Sequence, residues 1–262
     1  MTTAAARCRR YRRRILEVSQ QVTAAHVAPA FSCLEIVDAL YHEVMRPQDV
    51  FIMSKGHGCL AQYVVLEDLG KISREEMDLY CKPGGLLGAH PDYDPDIGIH
   101  ASTGSLGHGL GIAAGQALAE KLRGTDARVF VLLSDGECQE GSTWEAAMVV
   151  ANLRLTNLIA LVDHNDFGGM DRMTEVHPAL DPLTNKFEAF GWSARAVPGH
   201  SASYVRMALA VGARSSRPLA VVCRTVKGRG VSFMENEPIW HYRSPNEAEY
   251  EQAMEELQCG TD

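Results

Sequence analysis

Two oxygen-bearing side chains, Asp135 and Asn165, stand thirty positions apart, each just past a short apolar run. The first run, 129–133 (VFVLL), carries β-branched and aromatic residues, and the second covers 157–162 (NLIALV). Runs of this length and composition read as buried parallel strands, with a helix expected between them over 139–153. A right-handed crossover makes such strands parallel and brings both ends to one side. In open α/β sheets that side is the crevice where ligands bind. A carboxylate and an amide oxygen converging there suit Mg2+ or Ca2+, which take hard oxygen ligands and leave positions for water and phosphate. The N–H groups after Gly136 would open a helix toward phosphate oxygens. The spacing points to a metal–diphosphate site; helix and turn capping by the same two residues is the competing reading.

Other groups able to do chemistry are spread along the chain. In Ser54-Lys55-Gly56-His57-Gly58, glycines flank a lysine and a histidine and let both approach an anion without steric cover. Lys227 sits between a strand end and Gly228, as an anion clamp or a surface turn would, with Trp240-His241 beyond it. His26 reads as a helix-terminal or partly exposed histidine. His90-Pro91 lies in a Gly-, Pro- and Asp-rich loop, 81–104, of a length usually functional or disordered. His100, in that loop, has no assigned role, and Asp92, Asp94 and Asp96 lack the Gly and Glu spacing of an EF-hand. Gly104-Ser105-Leu106-Gly107-His108-Gly109 follows a loop, not a strand, and so fails the context test of a dinucleotide fingerprint.

The elements that must position these groups follow from periodicity and punctuation. Helices are expected over 4–24 and 33–44, with a turn-containing linker at 25–32 holding Pro29. A strand at 50–53, a helix at 60–69 and a helix start capped by Ser73 come next. Small and apolar residues at helical spacing from Leu106 to Leu122 give a core-facing stripe. Beyond the central unit a short helix (178–190), a strand (192–197), a helix (203–213), a strand (218–223) and an acidic, solvated terminal helix (246–258) are expected. Alternating strands and helices make the fold class α/β, a doubly wound parallel sheet with helices on both faces.

The chain has 262 residues, 46% hydrophobic and 22% charged, which is ordinary for a soluble globular protein. That length suits one large α/β domain or two small ones, and a single domain over 1–262 is expected. A net charge of −8 argues against general nucleic-acid binding. The run Arg7-Cys8-Arg9-Arg10-Tyr11-Arg12-Arg13-Arg14 is the exception, read as a solvated helix face or a contact with an acidic partner subunit, with a nucleic-acid or membrane patch as the alternative. No apolar run approaches the roughly 20 residues of a membrane span. Seven scattered cysteines without a Cys-x-x-Cys pair fit reduced thiols in a cytoplasmic protein.

Asp135-Gly136, Glu140-Gly141, Glu145-Ala146 and Asn165 together resemble the thiamine-diphosphate motif of the transketolase family, and Ser54 to His57, His90-Pro91, Leu106-Gly107, Lys227-Gly228 and Trp240-His241 resemble its other segments. The resemblance implies metal ligation (Mg2+ or Ca2+) by Asp135, Asn165 and the Phe167 carbonyl. It implies cofactor contacts from His57, Ser105, Leu106, Gly107, Gly136, Glu137, Asn165, Lys227 and His241. Substrate binding and proton transfer fall to His57, His90, His241 and His26, and Glu140 and Glu145 to a subunit interface. Ser134 stands where the family usually has Gly, and Val27, Ala28 and Pro29 replace a glycine-rich turn.

The resemblance covers the first half of a full-length transketolase and leaves out the pyrimidine-binding domain, whose Glu the cofactor's activation requires. The expectation is therefore an amino-terminal subunit of a split transketolase, active with a carboxyl-terminal subunit carrying the pyrimidine-binding and C-terminal domains, in a heterotetramer, on a small sugar or keto substrate. Nucleic acid and membrane are not expected partners. A specialised biosynthetic enzyme or 2-oxo acid dehydrogenase subunit, and a non-catalytic scaffold, are the alternatives.

Overall fold

The computed structural model describes residues 2–212 and 215–259. The chain opens with α1 (Ala4–Ser19) and α2 (Val27–Ala39), which runs on through one wide turn at Leu40–Val44. β1 (Val50–Met53), α3 (Cys59–Asp68), the one-turn α4 (Arg74–Met77) and the long loop follow. The central unit is α5 (Gly109–Arg123), β2 (Val129–Ser134), α6 (Gly141–Asn152) and β3 (Leu158–His164). A small ribbon, β4 (Phe167–Gly168) with β5 (Asp171–Arg172), leads to α7 (Met173–Val176) and α8 (Leu183–Ala189). β6 (Ser193–Pro198), α9 (Ala202–Gly212), β7 (Leu219–Arg224) and α10 (Glu247–Cys259) come last. The helix expected over 203–213 is α9, residue 213 lying outside the described residues.

Five strands pair in parallel in the order β1-β2-β3-β7-β6. Alternate residues of the strands enter two separate cores. Phe130, Leu132, Ile159 and Leu161 pack under α1, α2, α3 and α9, while Val131, Leu133, Ala160 and Val162 pack under α5, α6 and α8. Both faces are thereby covered, as a sheet of continuous apolar runs requires. The register sets Ser134 opposite Asp163, so the chain leaves β2 at Asp135 beside the polar end of β3. Among the described residues no helix is long and apolar enough to cross a membrane. Cys8, Cys33, Cys59, Cys81, Cys138 and Cys223 are free thiols, all but Cys81 buried. The Ser73 cap forms as expected, with reciprocal bonds to Glu76 of 3.1 and 2.7 Å.

Three expectations are corrected. The linker at 25–32 is mostly helix: α2 starts at Val27, and Pro29 occupies its first turn, where its missing N–H has no intrahelical acceptor to lose. The arginine run is neither a free basic patch nor a simply solvated face. Arg7 grips Asp38 through two bonds (2.7 and 2.8 Å), Arg10 pairs with Asp68 (2.6 Å), Arg12 with Glu35 (2.7 Å), and Arg14 with Glu67 and Asp78 (both 2.8 Å). These pairs tie α1 to α2, α3 and α4. The terminal helix α10 is solvated on one face only; Ala253 and Leu257 are buried, and Tyr250 and Met254 pack on the same core.

Candidate active site

The turns that end β2 and β3 touch one another. Asp135 Oδ2 accepts the N–H of Asp166 (2.6 Å), and Asp135 Oδ1 accepts that of Gly136 (2.9 Å). Gly136 lies against the other turn so closely that a Cβ there would sit 2.9 Å from Gly168 Cα and 3.3 Å from the Phe167 carbonyl oxygen. Asn165 Oδ1 accepts from the Phe167 N–H (3.1 Å). The Asp135 carboxylate, the Asn165 amide oxygen and the Phe167 carbonyl therefore belong to two interlocked turns. All three are hard oxygen donors, the set that Mg2+ or Ca2+ takes. Among the described residues no three His, Cys, Asp or Glu side chains group into a metal site. The set at the two turns is of another kind, since two of its oxygens come from an amide and the backbone.

One part of the phosphate expectation changes. The N–H groups just after β2 are not free: Gly136 donates to Asp135, Glu137 to Ser134 Oγ (3.1 Å) and Cys138 to the Asp135 carbonyl (2.9 Å). A tight turn over Gly136–Gln139 takes these bonds, and α6 starts only at Gly141.

Asn165 is oriented by a buried carboxylate that no local pattern singles out. Asp163, fully buried at the end of β3, accepts from Lys55 Nζ, Ser32 Oγ (2.6 and 2.7 Å), Thr225 Oγ1 and Asn165 Nδ2 (3.2 Å). Asn165 Nδ2 also donates to Ser32 Oγ (2.9 Å), which fixes the amide with its oxygen toward Phe167. Burial alone would raise the Asp163 carboxyl, but Lys55 holds it below the usual range. Lys55 is likewise fully buried and stays charged through this pair. The lysine of the Ser-Lys-Gly-His segment thus points into the protein, and His57 alone of that pair lines the open space.

Glu137, expected among the cofactor contacts, is fully buried, and its carboxylate meets protein donors. Ser54 Oγ, the Gly107 N–H (2.9 Å) and the Ser134 N–H (3.3 Å) all donate to it. It ties together the three loops around the site. Gly107 holds a left-handed φ of 83°, and a Cβ there would fall 2.5 Å from Ser142 Oγ and 2.6 Å from Glu140 Cβ, so only glycine fits.

A cavity of about 290 Å³ opens in front of these turns, lined among others by His57, Leu106, Gly136, Phe167, Gly169 and His241. Lys227, 2% exposed, donates to the Gly169 carbonyl (2.7 Å) and lies 2.9 Å from His241 Nδ1. Burial and nearby Lys55 push its pKa down to about 7. His26 stands at the centre of an aromatic cluster, its ring centroid 5.9 Å from His57, 5.4 Å from His90, 5.5 Å from His241 and 4.5 Å from Tyr242. Its Nδ1 is buried without a partner among the described residues. The chain thus brings together His26, His57, His90, His241, Leu106, Gly136, Phe167 and Lys227. Ser105 is exposed, next in the chain to Leu106 of the cavity wall, and His100 lies apart, against the Phe51 carbonyl at 3.3 Å.

The imidazoles are kept neutral. Burial, reinforced by His241 and His90, lowers His26 to about 3; burial with Lys227 and Lys55 lowers His241 to about 4; burial and Lys55 drive His57 well below its ordinary value. Between about pH 4 and 6.5 the unfolded chain binds protons at His26 and His241 that the folded chain refuses, so stability rises with pH. For His26 alone the loss at pH 5 is on the order of 2 kcal/mol. His26→Phe should narrow the gap between urea midpoints at pH 7 and pH 5; an unchanged gap would show that His26 titrates normally.

The sequence matches the family described as "Transketolase, thiamine diphosphate binding domain" over residues 12–260. The chain belongs to this family. It is 36% identical over 256 residues to a transketolase subunit of Phocaeicola vulgatus named for apulose 4-phosphate, covering 94% of this chain and 90% of the relative. The "6-deoxy-6-sulfo-D-fructose transketolase subunit SqwG" of a Clostridium species is 33% identical, with 94% and 93% covered. The human protein named "Transketolase" is 34% identical across 91% of this chain, which spans 40% of that protein's length. Among solved structures, the transketolase from Leishmania mexicana superposes on 98% of the chain with a TM-score of 0.91 at 23% identity, this chain spanning 42% of it. A fold shared at that level accounts for the parallel sheet flanked by helices.

Proposed function

We propose that this chain is the diphosphate-binding subunit of a two-polypeptide, thiamine-diphosphate-dependent transketolase-like enzyme, which moves a two-carbon ketol unit from a ketose donor to an aldose acceptor. The observation carrying this reading is the contact between the Asp135 and Asn165 turns beneath a cavity that His57 and His241 line. The oxygens present fit a divalent ion: Asp135, Asn165 and the Phe167 carbonyl would hold Mg2+, and through it a diphosphate. A volume of about 290 Å³ falls just short of the usual ligand pocket, about 300–1,000 Å³, and suits one end of a cofactor whose other end is held elsewhere.

When bound, thiamine diphosphate supplies an acidic carbon that attacks carbonyls and a ring that takes up the resulting charge. The chain's own residues bind, orient and move protons. Below about pH 7 Lys227 is charged and has only donors to offer, so His241 Nδ1 accepts and Nε2 carries the ring proton. His241 then acts at the cavity as a neutral hydrogen-bond donor. His26 keeps a bare or donor Nδ1 available for a sugar oxygen, and neutral His57 and His90 each offer one donor and one acceptor for hydroxyl protons. Lys227 adds positive potential beside the diphosphate position.

A partner subunit carrying the pyrimidine-binding domain completes the site. Supporting this, the relatives named as transketolase subunits are spanned over 90% and 93% of their length, and the human transketolase over only 40%. The exposure of Glu140 and Glu145 at the start of α6 supports a contact there with another subunit. A second reading keeps the transfer but changes the sugar. In its favour, helix stands at Val27 where the resemblance implies a glycine-rich turn, Tyr242 packs at 4.5 Å on His26, and the relatives' names specify apulose 4-phosphate and a sulfonated fructose. The purified chain should show no ketol transfer. Adding a partner of about 300 residues, the size of two domains, with thiamine diphosphate and Mg2+ should restore it. Full turnover by the chain alone would overturn the split-enzyme reading.

A further inference from the structure

Lys227 reaches His241 from a segment that is held from behind by a residue outside the site. His200, between β6 and α9, accepts the Val226 N–H at Nε2 (2.8 Å) and meets Glu35 Oε2 at Nδ1 (2.8 Å). One protonation pattern satisfies both contacts. Nε2 must be bare to accept an N–H, so Nδ1 carries the proton and donates it to the carboxylate. Glu35 is itself fixed by Arg12 (2.7 Å), which also donates to the Phe31 carbonyl (3.1 Å). Burial alone would raise the Glu35 carboxyl, but Arg12 and His200 hold it down at about 2, so it is ionised. Gly199 brings the backbone against Thr225, where a Cβ would fall 2.4 Å from Cγ2. A chain of polar contacts, an ion pair followed by two hydrogen bonds, therefore runs from α1 through α2 to the backbone N–H immediately before Lys227.

We propose that His200 is a positioning residue: through the Val226 N–H it fixes Lys227 against His241 and so selects the Nε2–H tautomer of His241. The proposal rests on His241 serving the transfer reaction described above, but the link itself is a property of the unliganded chain. Without His200, Val226 loses its acceptor and the segment that aims Lys227 loses its connection to the Arg12–Glu35 pair. Lys227, still bonded to Gly169 and accepting the Asn236 N–H at its carbonyl, then dictates less firmly which His241 nitrogen is bare. Partners one layer behind functional groups commonly control activity in this way, at about 10–100-fold per residue.

The test uses the full chain labelled with 15N-histidine and long-range 1H–15N correlations, which report the tautomer of each ring; loss of signal in His241→Gln assigns that residue. In spectra recorded below pH 7, where Lys227 is charged, the wild type should show His200 protonated at Nδ1 and His241 protonated at Nε2. His200→Ala should convert the His241 pattern to an averaged one. His200→Gln, whose amide can accept from Val226 and donate to Glu35, should restore it. In the assembled enzyme, turnover should fall about 10–100-fold in His200→Ala and largely recover in His200→Gln. If His200→Ala does not fold, Glu35→Gln weakens the same link and should shift His241 in the same direction. An unchanged His241 pattern in whichever of these variants folds, or a wild-type His200 protonated at Nε2, overturns the proposal. Because the spectra need neither cofactor nor partner, a failed tautomer test and a failed ketol-transfer test are told apart.

Discussion

Asp135→Ala is expected to remove metal-supported thiamine diphosphate binding from the assembled enzyme. Partners that only orient a metal ligand typically cost about 10–100-fold in affinity when lost, so a direct ligand should cost at least about a hundredfold. The Asp135 side chain has little structural duty beyond its two backbone N–H contacts, at 2.9 and 2.6 Å. Burial and the nearby Asp163 charge push its carboxyl up to about 6, so holding it ionised at neutral pH opposes folding. The variant should therefore lose the cofactor while keeping its fold. Calorimetric titration with thiamine diphosphate at fixed Mg2+, beside a thermal melt of the free chain, separates the two effects. Affinity unchanged within about threefold, roughly 0.7 kcal/mol, would count against Asp135 as a ligand.

Asp163→Ala should do the opposite and damage the fold first. It removes the carboxylate that pairs with a fully buried lysine, together with the acceptor shared by Ser32, Thr225 and Asn165. Breaking a buried ion pair from one side costs about 3–5 kcal/mol, because the other charge stays buried and uncompensated. Adding Lys55→Met to the same chain should return part of that loss, since no buried charge is then left alone. Urea unfolding of the single and double variants measures both. A loss of no more than about 1 kcal/mol in Asp163→Ala, the range of an exposed pair, would mean that this pair is not the anchor of the strand ends.

Much of the site was legible in the sequence because two physical signals coincide there. Apolar runs at 129–133 and 157–162 announced strands, and the polar residues that stop each run marked the edge where a ligand meets the sheet. What stayed hidden depended on distance along the chain or on direction. The arginines of α1 read as a surface because their acidic partners lie at 35, 38, 67, 68 and 78, on helices whose packing no local pattern discloses. Pro29 read as a breaker because its place in a first turn depends on where α2 starts. In the sequence Asp163 carries no motif of its own, and Lys55 reads as a cation free to approach an anion. Only the fold shows that the two face each other in the interior. Glu137 sits next to the diphosphate turn in sequence, yet its carboxylate points back toward Ser54 and Gly107.

The most direct test is the position of a divalent ion. Crystals of the chain with its partner, grown with thiamine diphosphate and Mn2+, locate the metal by its anomalous signal. One peak is expected, shared by the Asp135 carboxylate, Asn165 Oδ1, the Phe167 carbonyl and the cofactor's phosphate oxygens. A metal bound to the diphosphate with Asp135 and Asn165 outside its coordination sphere would contradict it.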